Sequence, residues 1–201
     1  GAISGAAAAA DGVLYYGDEA GHLVARQQAD GKLLWSKSFR GGIVAAPCVA
    51  GEYVIIPVMS ATALAPPKTD CLTVCRRATG ETLWAVSKAS SVVHSPLSDG
   101  ANVYFATVSG YLSDTELFAH RLSDGGLLWK ARLPGVVDSS PLLSGGRLVF
   151  GGHDGSIHMV DASTGAELAA YALAKRVFSS PALSDGRLFI GAQDGKLHCL
   201  K

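Results

Sequence analysis

The chain has 201 residues, 48% of them hydrophobic and 17% charged, with 24 glycines. That is enough apolar material for a sizeable core and too little charge for a disordered chain. Its 17 basic and 17 acidic residues cancel, which removes the general attraction to phosphate backbones and sets nucleic acid aside as a partner.

No apolar run reaches the roughly 18 residues of a membrane-spanning helix. Ala6 to Ala10 is too short for a signal-peptide core and lacks a basic flank. The start at Gly1 reads as a mature product or an excised domain, so no targeting segment reports a compartment.

In chain order the sequence divides into five copies of one unit, at about 1–40, 41–89, 90–134, 135–174 and 175–201. The first copy is worn. Ala7 stands where later copies have proline, Asp11-Gly12 makes a turn, and Val13–Gly17 and His22–Arg26 read as strands. The later copies open on Val44-Ala45-Ala46-Pro47, Val93-His94-Ser95-Pro96, Asp138-Ser139-Ser140-Pro141 and Phe178-Ser179-Ser180-Pro181. The key positions 7, 47, 96, 141 and 181 lie 40, 49, 45 and 40 residues apart. A period of roughly 40 to 50 residues with several short strands per unit predicts an all-β propeller.

The fourth copy shows the unit best. An inner strand A runs from Val136 to Leu143, B from Arg147 to Gly151, C from Ser156 to Val160 and an outer strand D from Glu167 to Leu173. Asp154-Gly155 supplies the positive-φ residues of a tight hairpin. Strands B and C are apolar almost throughout, as expected for sheets covered on both faces. Strand D carries an aromatic soon after its turn glycine: Trp35, Trp84, Trp129 and, slightly shifted, Tyr171. Rings at repeat-equivalent places are expected to dock one blade on the next.

Ala78-Thr79-Gly80-Glu81-Thr82-Leu83-Trp84, Asp161-Ala162-Ser163-Thr164-Gly165, the Ser-Ser-Pro strand and the Gly-x-x-Asp-Gly hairpin resemble the PQQ-like, tryptophan-docking propeller repeats. Quinoprotein dehydrogenases and many non-catalytic relatives are built from them. The relatives include the propeller lipoprotein of the outer-membrane β-barrel assembly machinery. The resemblance covers essentially the whole chain and implies four-stranded antiparallel blades and an extracytoplasmic setting. The dehydrogenases of this family carry an adjacent cysteine pair over the cofactor, a calcium site, a catalytic Asp and about eight blades. Cys48, Cys71, Cys75 and Cys199 include no adjacent pair, so no cofactor and no metal are expected.

Cys71 and Cys75 on one strand lie about 13 Å apart at ~3.3 Å per residue, too far for a disulfide, which needs Cα atoms within roughly 7 Å. They read as small buried hydrophobes. His158 and His198 occupy equivalent places on strand C and read as packing residues, while His22 and His153 lie beside hairpin turns.

Three features depart from the repeat. The last copy stops at Leu200-Lys201, at the end of strand C. The expected total is therefore 19 strands, in a closed five-bladed ring or in an incomplete propeller finished by another segment. Blades two and three have long B–C connections that carry Leu64, Pro66, Pro67, Tyr111 and Leu112, an apolar set suited to a partner protein. His94 and Asp138 stand near the axis on neighbouring blades and are candidates for a small ligand or ion at a channel mouth.

No phosphate loop, HExxH or nucleophile elbow is present. The sequence therefore reads as a non-catalytic scaffold binding another protein or a larger assembly. The alternatives are an accessory or sensing propeller of a larger enzyme and a divergent quinoprotein.

Overall fold

The computed structural model describes residues 1–59, 69–88, 90–108, 115–133, 135–137, 139–173 and 175–200. Among them the chain forms nineteen β-strands and no helix. Blade one holds β1 (Ala8–Ala10), β2 (Val13–Gly17), β3 (His22–Gln27) and β4 (Leu33–Ser38). Blade two holds β5 (Cys48–Ala50), β6 (Tyr53–Pro57), β7 (Thr69–Arg76) and β8 (Thr82–Lys88). Blade three holds β9 (Leu97–Ser98), β10 (Asn102–Thr107), β11 (Thr115–Arg121) and β12 (Leu127–Leu133). Blade four holds β13 (Leu142–Ser144), β14 (Arg147–Gly151), β15 (Ser156–Asp161) and β16 (Glu167–Ala172). Blade five has three strands, β17 (Ala182–Ser184), β18 (Arg187–Gly191) and β19 (Leu197–Leu200). Every sheet is an antiparallel meander in chain order.

The inner strands are shorter than the sequence suggests. In blade four only Leu142–Ser144 joins the ladder, not the whole run from Val136. Pro141 has no N–H to give, and the Ser139 hydroxyl takes over the pairing. Its Oγ accepts from the Gly151 N–H at 2.8 Å and donates to the Gly151 carbonyl at 3.4 Å. Ser179 clamps Gly191 in the same way, at 2.7 and 2.9 Å. The second serine of the motif reaches sideways instead. Ser140 Oγ accepts from the Ser95 N–H of blade three, and Ser180 Oγ accepts from the Ser140 N–H of blade four.

The C–D ladders share one irregularity. The register slips by one residue between Ala25 and Arg26, Val74 and Cys75, Ala119 and His120, and Met159 and Val160. The extra residue on the outer strand is Leu34, Leu83, Leu128 or Leu168. A bulge re-aims the side chain that follows it, and the next residue is Trp35, Trp84, Trp129 or Ala169.

Four cores lie between successive blades. Tyr15, Ile43 and Ile56 anchor the first, Leu72, Phe105 and Phe118 the second, and Leu117, Leu148 and Phe150 the third. The fourth, between blades four and five, contains Val149, Ile157, Val177 and Ile190. Among the described residues each core joins two successive blades, and none joins blade five to blade one. Cys71 and Cys75 both sit on β7, both buried and both free thiols. Burial pushes the Cys71 thiol up to about 11.

Candidate docking rim

The connection from each outer strand to the next inner strand shares one face with the B–C connections. Backbone hydrogen bonds knit the two kinds together. Between blades one and two, the Ile43 N–H donates to the Asp18 carbonyl at 2.9 Å and the Met59 N–H to the Gly42 carbonyl at 2.8 Å. Between two and three, Val92 donates to the Val58 carbonyl at 3.3 Å, and Ser91 and Val108 exchange bonds of 3.0 Å. Between three and four, Thr115 donates to Gly135 at 3.0 Å and His153 to Val136 at 2.9 Å. Between four and five, Val177 donates to Gly152 at 3.1 Å and Gln193 to Arg176 at 2.9 Å.

Side chains seat the same connections. A Cβ at Gly17 would lie 2.1 Å from Ile43 Cγ2, and one at Gly151 would lie 2.2 Å from Val177 Cγ1. Only glycine lets these connections settle onto the strand ends. The result, among the described residues, is a rim with backbone bonds between neighbouring blades at every seam, which stiffens the platform.

The two longest B–C connections leave this rim between Pro57 and Thr69 and between Thr107 and Thr115. Leu64, Pro66, Pro67, Tyr111 and Leu112 lie outside the described residues, as does Asp138. His94 is half-buried ahead of β9, at the place where Ser139 and Ser179 clamp their neighbouring strands. Near the base of the blade-three connection, Lys88 pairs with Glu116 at 3.0 Å and lies 3.9 Å above the Phe118 ring. At blade one, Asp18 holds His22 Nδ1 at 2.9 Å. The His22 backbone N–H, then its ring, hold the Asp18 carboxyl well below the usual range.

The histidines of strand C have local partners, and the sequence reading missed them. His158 is 3% exposed, with Nδ1 2.7 Å from Glu167 Oε1 and Nε2 3.1 Å from Asp154 Oδ2. Asp154 also accepts from the Ser156 N–H at 2.9 Å, so one carboxylate closes the hairpin and holds the ring. Burial pushes that carboxyl up, but the Ser156 bond and His158 bring it below its ordinary value. His198 and Asp194 repeat the contact at 3.0 Å. The legible signal was an Asp-Gly turn with a histidine four residues after the Asp, present twice. Among the described residues no group of His, Cys, Asp and Glu is placed to hold a metal.

The indoles define the class of propeller. Each sits over the turn glycine of the next blade and donates Nε1–H to a carbonyl there. Trp35 bonds Arg77 at 3.0 Å, Trp84 bonds Leu122 at 2.8 Å and Trp129 bonds Ala162 at 2.9 Å. A Cβ on Gly80, Gly125 or Gly165 would fall 2.8, 2.7 or 2.5 Å from the indole. Tyr171 does not join them: Ala169 takes the register position after the bulge, and Tyr171 lies 56% exposed. The fold is thus a β-propeller of tryptophan-docked, PQQ-like blades.

Within that class, the family described as outer membrane protein assembly factor BamB matches residues 1–65 and 68–201, and the chain belongs to it. The solved BamB of Moraxella catarrhalis aligns over 98% of this chain and 57% of its own length, at 19% identity and a TM-score of 0.75. This chain therefore spans little more than half of that protein. The computationally designed Ika8 protein aligns over 99% of this chain and 70% of its own, at 16% identity and a TM-score of 0.60. The quinohemoprotein alcohol dehydrogenase of Comamonas testosteroni aligns over all of this chain and 41% of its own, at 12% identity and a TM-score of 0.77. At such identities the likeness to solved structures is one of fold. No curated protein matches the chain.

Proposed function

We propose that this propeller is a non-catalytic scaffold that presents its rim, at blades two and three, to another protein of an extracytoplasmic assembly. The observation that carries the reading is the set of backbone bonds that, among the described residues, joins the rim at each of the four seams, from which the two longest connections depart. A platform fixed in this way anchors the feet of both connections, at Val58, Met59, Val108 and Thr115, and these connections are what we assign to the partner. Membership of a family described as an outer membrane assembly factor agrees in kind. The enzyme alternative lacks the adjacent cysteines that the dehydrogenases carry.

The test replaces residues 61–68 by a short Gly-containing turn and compares the two proteins in crosslinked cell envelopes. The expected outcome is an unchanged unfolding midpoint together with loss of the crosslinked species formed by the parent. A variant that keeps the same crosslinks removes blade two from the contact face.

A further inference from the structure

The seam between blades one and two differs from the other seams. On strand C of blades two to five, the residues that face the preceding blade are Thr73, Phe118, His158 and His198, paired across to Ile56, Phe105, Phe150 and Ile190. Rings fill this place in blades three and four, where Phe118 stacks on Phe105 and His158 on Phe150. Blade two has only a threonine. A cavity of about 350 Å³ opens there, bounded by Phe39 and by the polar residues Lys37, Ser38, Arg40, Asp70, Thr73 and Thr82.

Its polar groups are mostly donors. Thr73 is 2% exposed, and its Oγ1 has no hydrogen-bond partner. Burying a hydroxyl unsatisfied is costly, and native proteins seldom do it without reason. Lys37 crosses the seam to donate to the Gly80 carbonyl at 3.1 Å and to Thr82 Oγ1 at 2.6 Å, which leaves one of its three ammonium hydrogens. Arg40 is exposed at the edge with a full guanidinium fork. The single carboxylate, Asp70, already accepts from Ser87 Oγ at 2.5 Å. Two cations and a buried hydroxyl against one carboxylate, bonded through Oδ1 alone, leave an excess of positive charge and of donors that suits a ligand that only accepts and carries negative charge.

We propose that this seam binds a carboxylate, held between the Lys37 ammonium and the Arg40 guanidinium with the Thr73 hydroxyl donating to it. A planar carboxylate suits a guanidinium fork and accepts several bonds at once. The proposal does not rest on reading the rim as a partner face.

The test titrates isotope-labelled protein with succinate, with its neutral diamide and with inorganic phosphate, following amide shifts and the unfolding midpoint. Succinate should shift residues 37–40 and 70–82 saturably and raise the midpoint, while the diamide should do neither. Thr73→Val should weaken succinate binding by about tenfold, the worth of a buried bond to a charged acceptor, while the unliganded protein stays as stable or gains. Arg40→Gln, on the surface, should weaken binding several-fold without touching the fold. Equal response to the diamide, tighter binding of phosphate than of succinate, or unaltered succinate affinity in Thr73→Val would each overturn the proposal. A blocked glutamyl peptide that displaces succinate assigns the natural carboxylate to a protein side chain. Failure to displace assigns it to a small molecule, and both outcomes keep the site.

Discussion

The junction between blades two and three and the junction between blades four and five are built from the same repeat but held differently. At the first, Leu72, Phe105 and Phe118 pack in a wide core, and Trp84 closes the outer edge over Gly125. At the second, four residues form the core, Ala169 stands at the docking position, and a cleft of about 580 Å³ opens beside Met159, Tyr171, Leu188 and Leu200. The inner parts persist in both: Val177 still seats on Gly151, and Ser180 still accepts from Ser140. Adhesion between blades therefore has two separable layers, a backbone layer near the axis and rim and an indole layer at the outer edge.

The sharpest way to break the comparison is to remove the ring from each side. Trp84→Ala deletes buried surface, leaves a cavity and orphans the Leu122 carbonyl. The expected loss is about 3 to 5 kcal/mol, read from urea unfolding. Tyr171→Ala, on an exposed side chain, should stay within about 0.5 kcal/mol. Equal losses in the two variants would show that the outer layer does not distinguish the junctions.

A second pair of variants separates the indole contact from backbone conformation. Gly125 and Gly31 are equivalent turn residues with the same φ of 73° and 72°. At Gly125 a Cβ meets the Trp84 ring at 2.7 Å, and at Gly31 it meets nothing within 4 Å. Gly31→Ala should cost only the left-handed strain, about 1 kcal/mol. Gly125→Ala adds overpacking of about 1 to 3 kcal/mol. In the background of Trp84→Ala that excess should vanish, since contacting residues are coupled.

These layers were unequally legible in the sequence. The blade count and most boundaries of strands B and C follow from turn residues and apolar runs, which act locally. Trp35, Trp84 and Trp129 could be placed on outer strands because they recur at one offset from a glycine. Tyr171 was read as a shifted fourth copy, since spacing alone does not reveal the bulge at Leu168 that assigns Ala169 to the docking position. The two serines of each Ser-Ser-Pro looked like one motif. Their different tasks, one clamping its own blade and one bonding the neighbour, depend on long-range placement. The seam at Thr73 was invisible for a related reason: a threonine in an apolar strand looks ordinary until the ring missing beside it is seen.

A smaller effect should appear with pH, at the junction between blades three and four. Tyr104 occupies the register place that Val149 holds at the next junction, and its ring lies 6.1 Å from Trp129. Its hydroxyl donates to Asp99 Oδ2 at 2.9 Å, while the other Asp99 oxygen accepts from the N–H groups of Ala101 and Asn102 at 2.8 and 2.6 Å. Burial, and then the bond to Asp99, push Tyr104 up to about 12 from 10.0. Burial pushes the Asp99 carboxyl up, but the Asn102 and Ala101 bonds outweigh it and leave the group below its ordinary value. The signs are opposite. The tyrosine favours folding fully below about pH 10 and loses that contribution as pH rises toward 12. The carboxylate favours folding above the ordinary carboxylate range and loses its contribution as pH falls through its lowered folded value. The difference in stability between the parent and Tyr104→Phe should therefore be constant near neutrality and shrink between pH 10 and 12, with phenolate absorbance at 295 nm rising over the same interval. Val149 has no proton to lose, so Val149→Ala should show a difference that is flat across that range. A flat difference for Tyr104→Phe as well would mean that the Asp99 bond adds nothing to the packing of the ring.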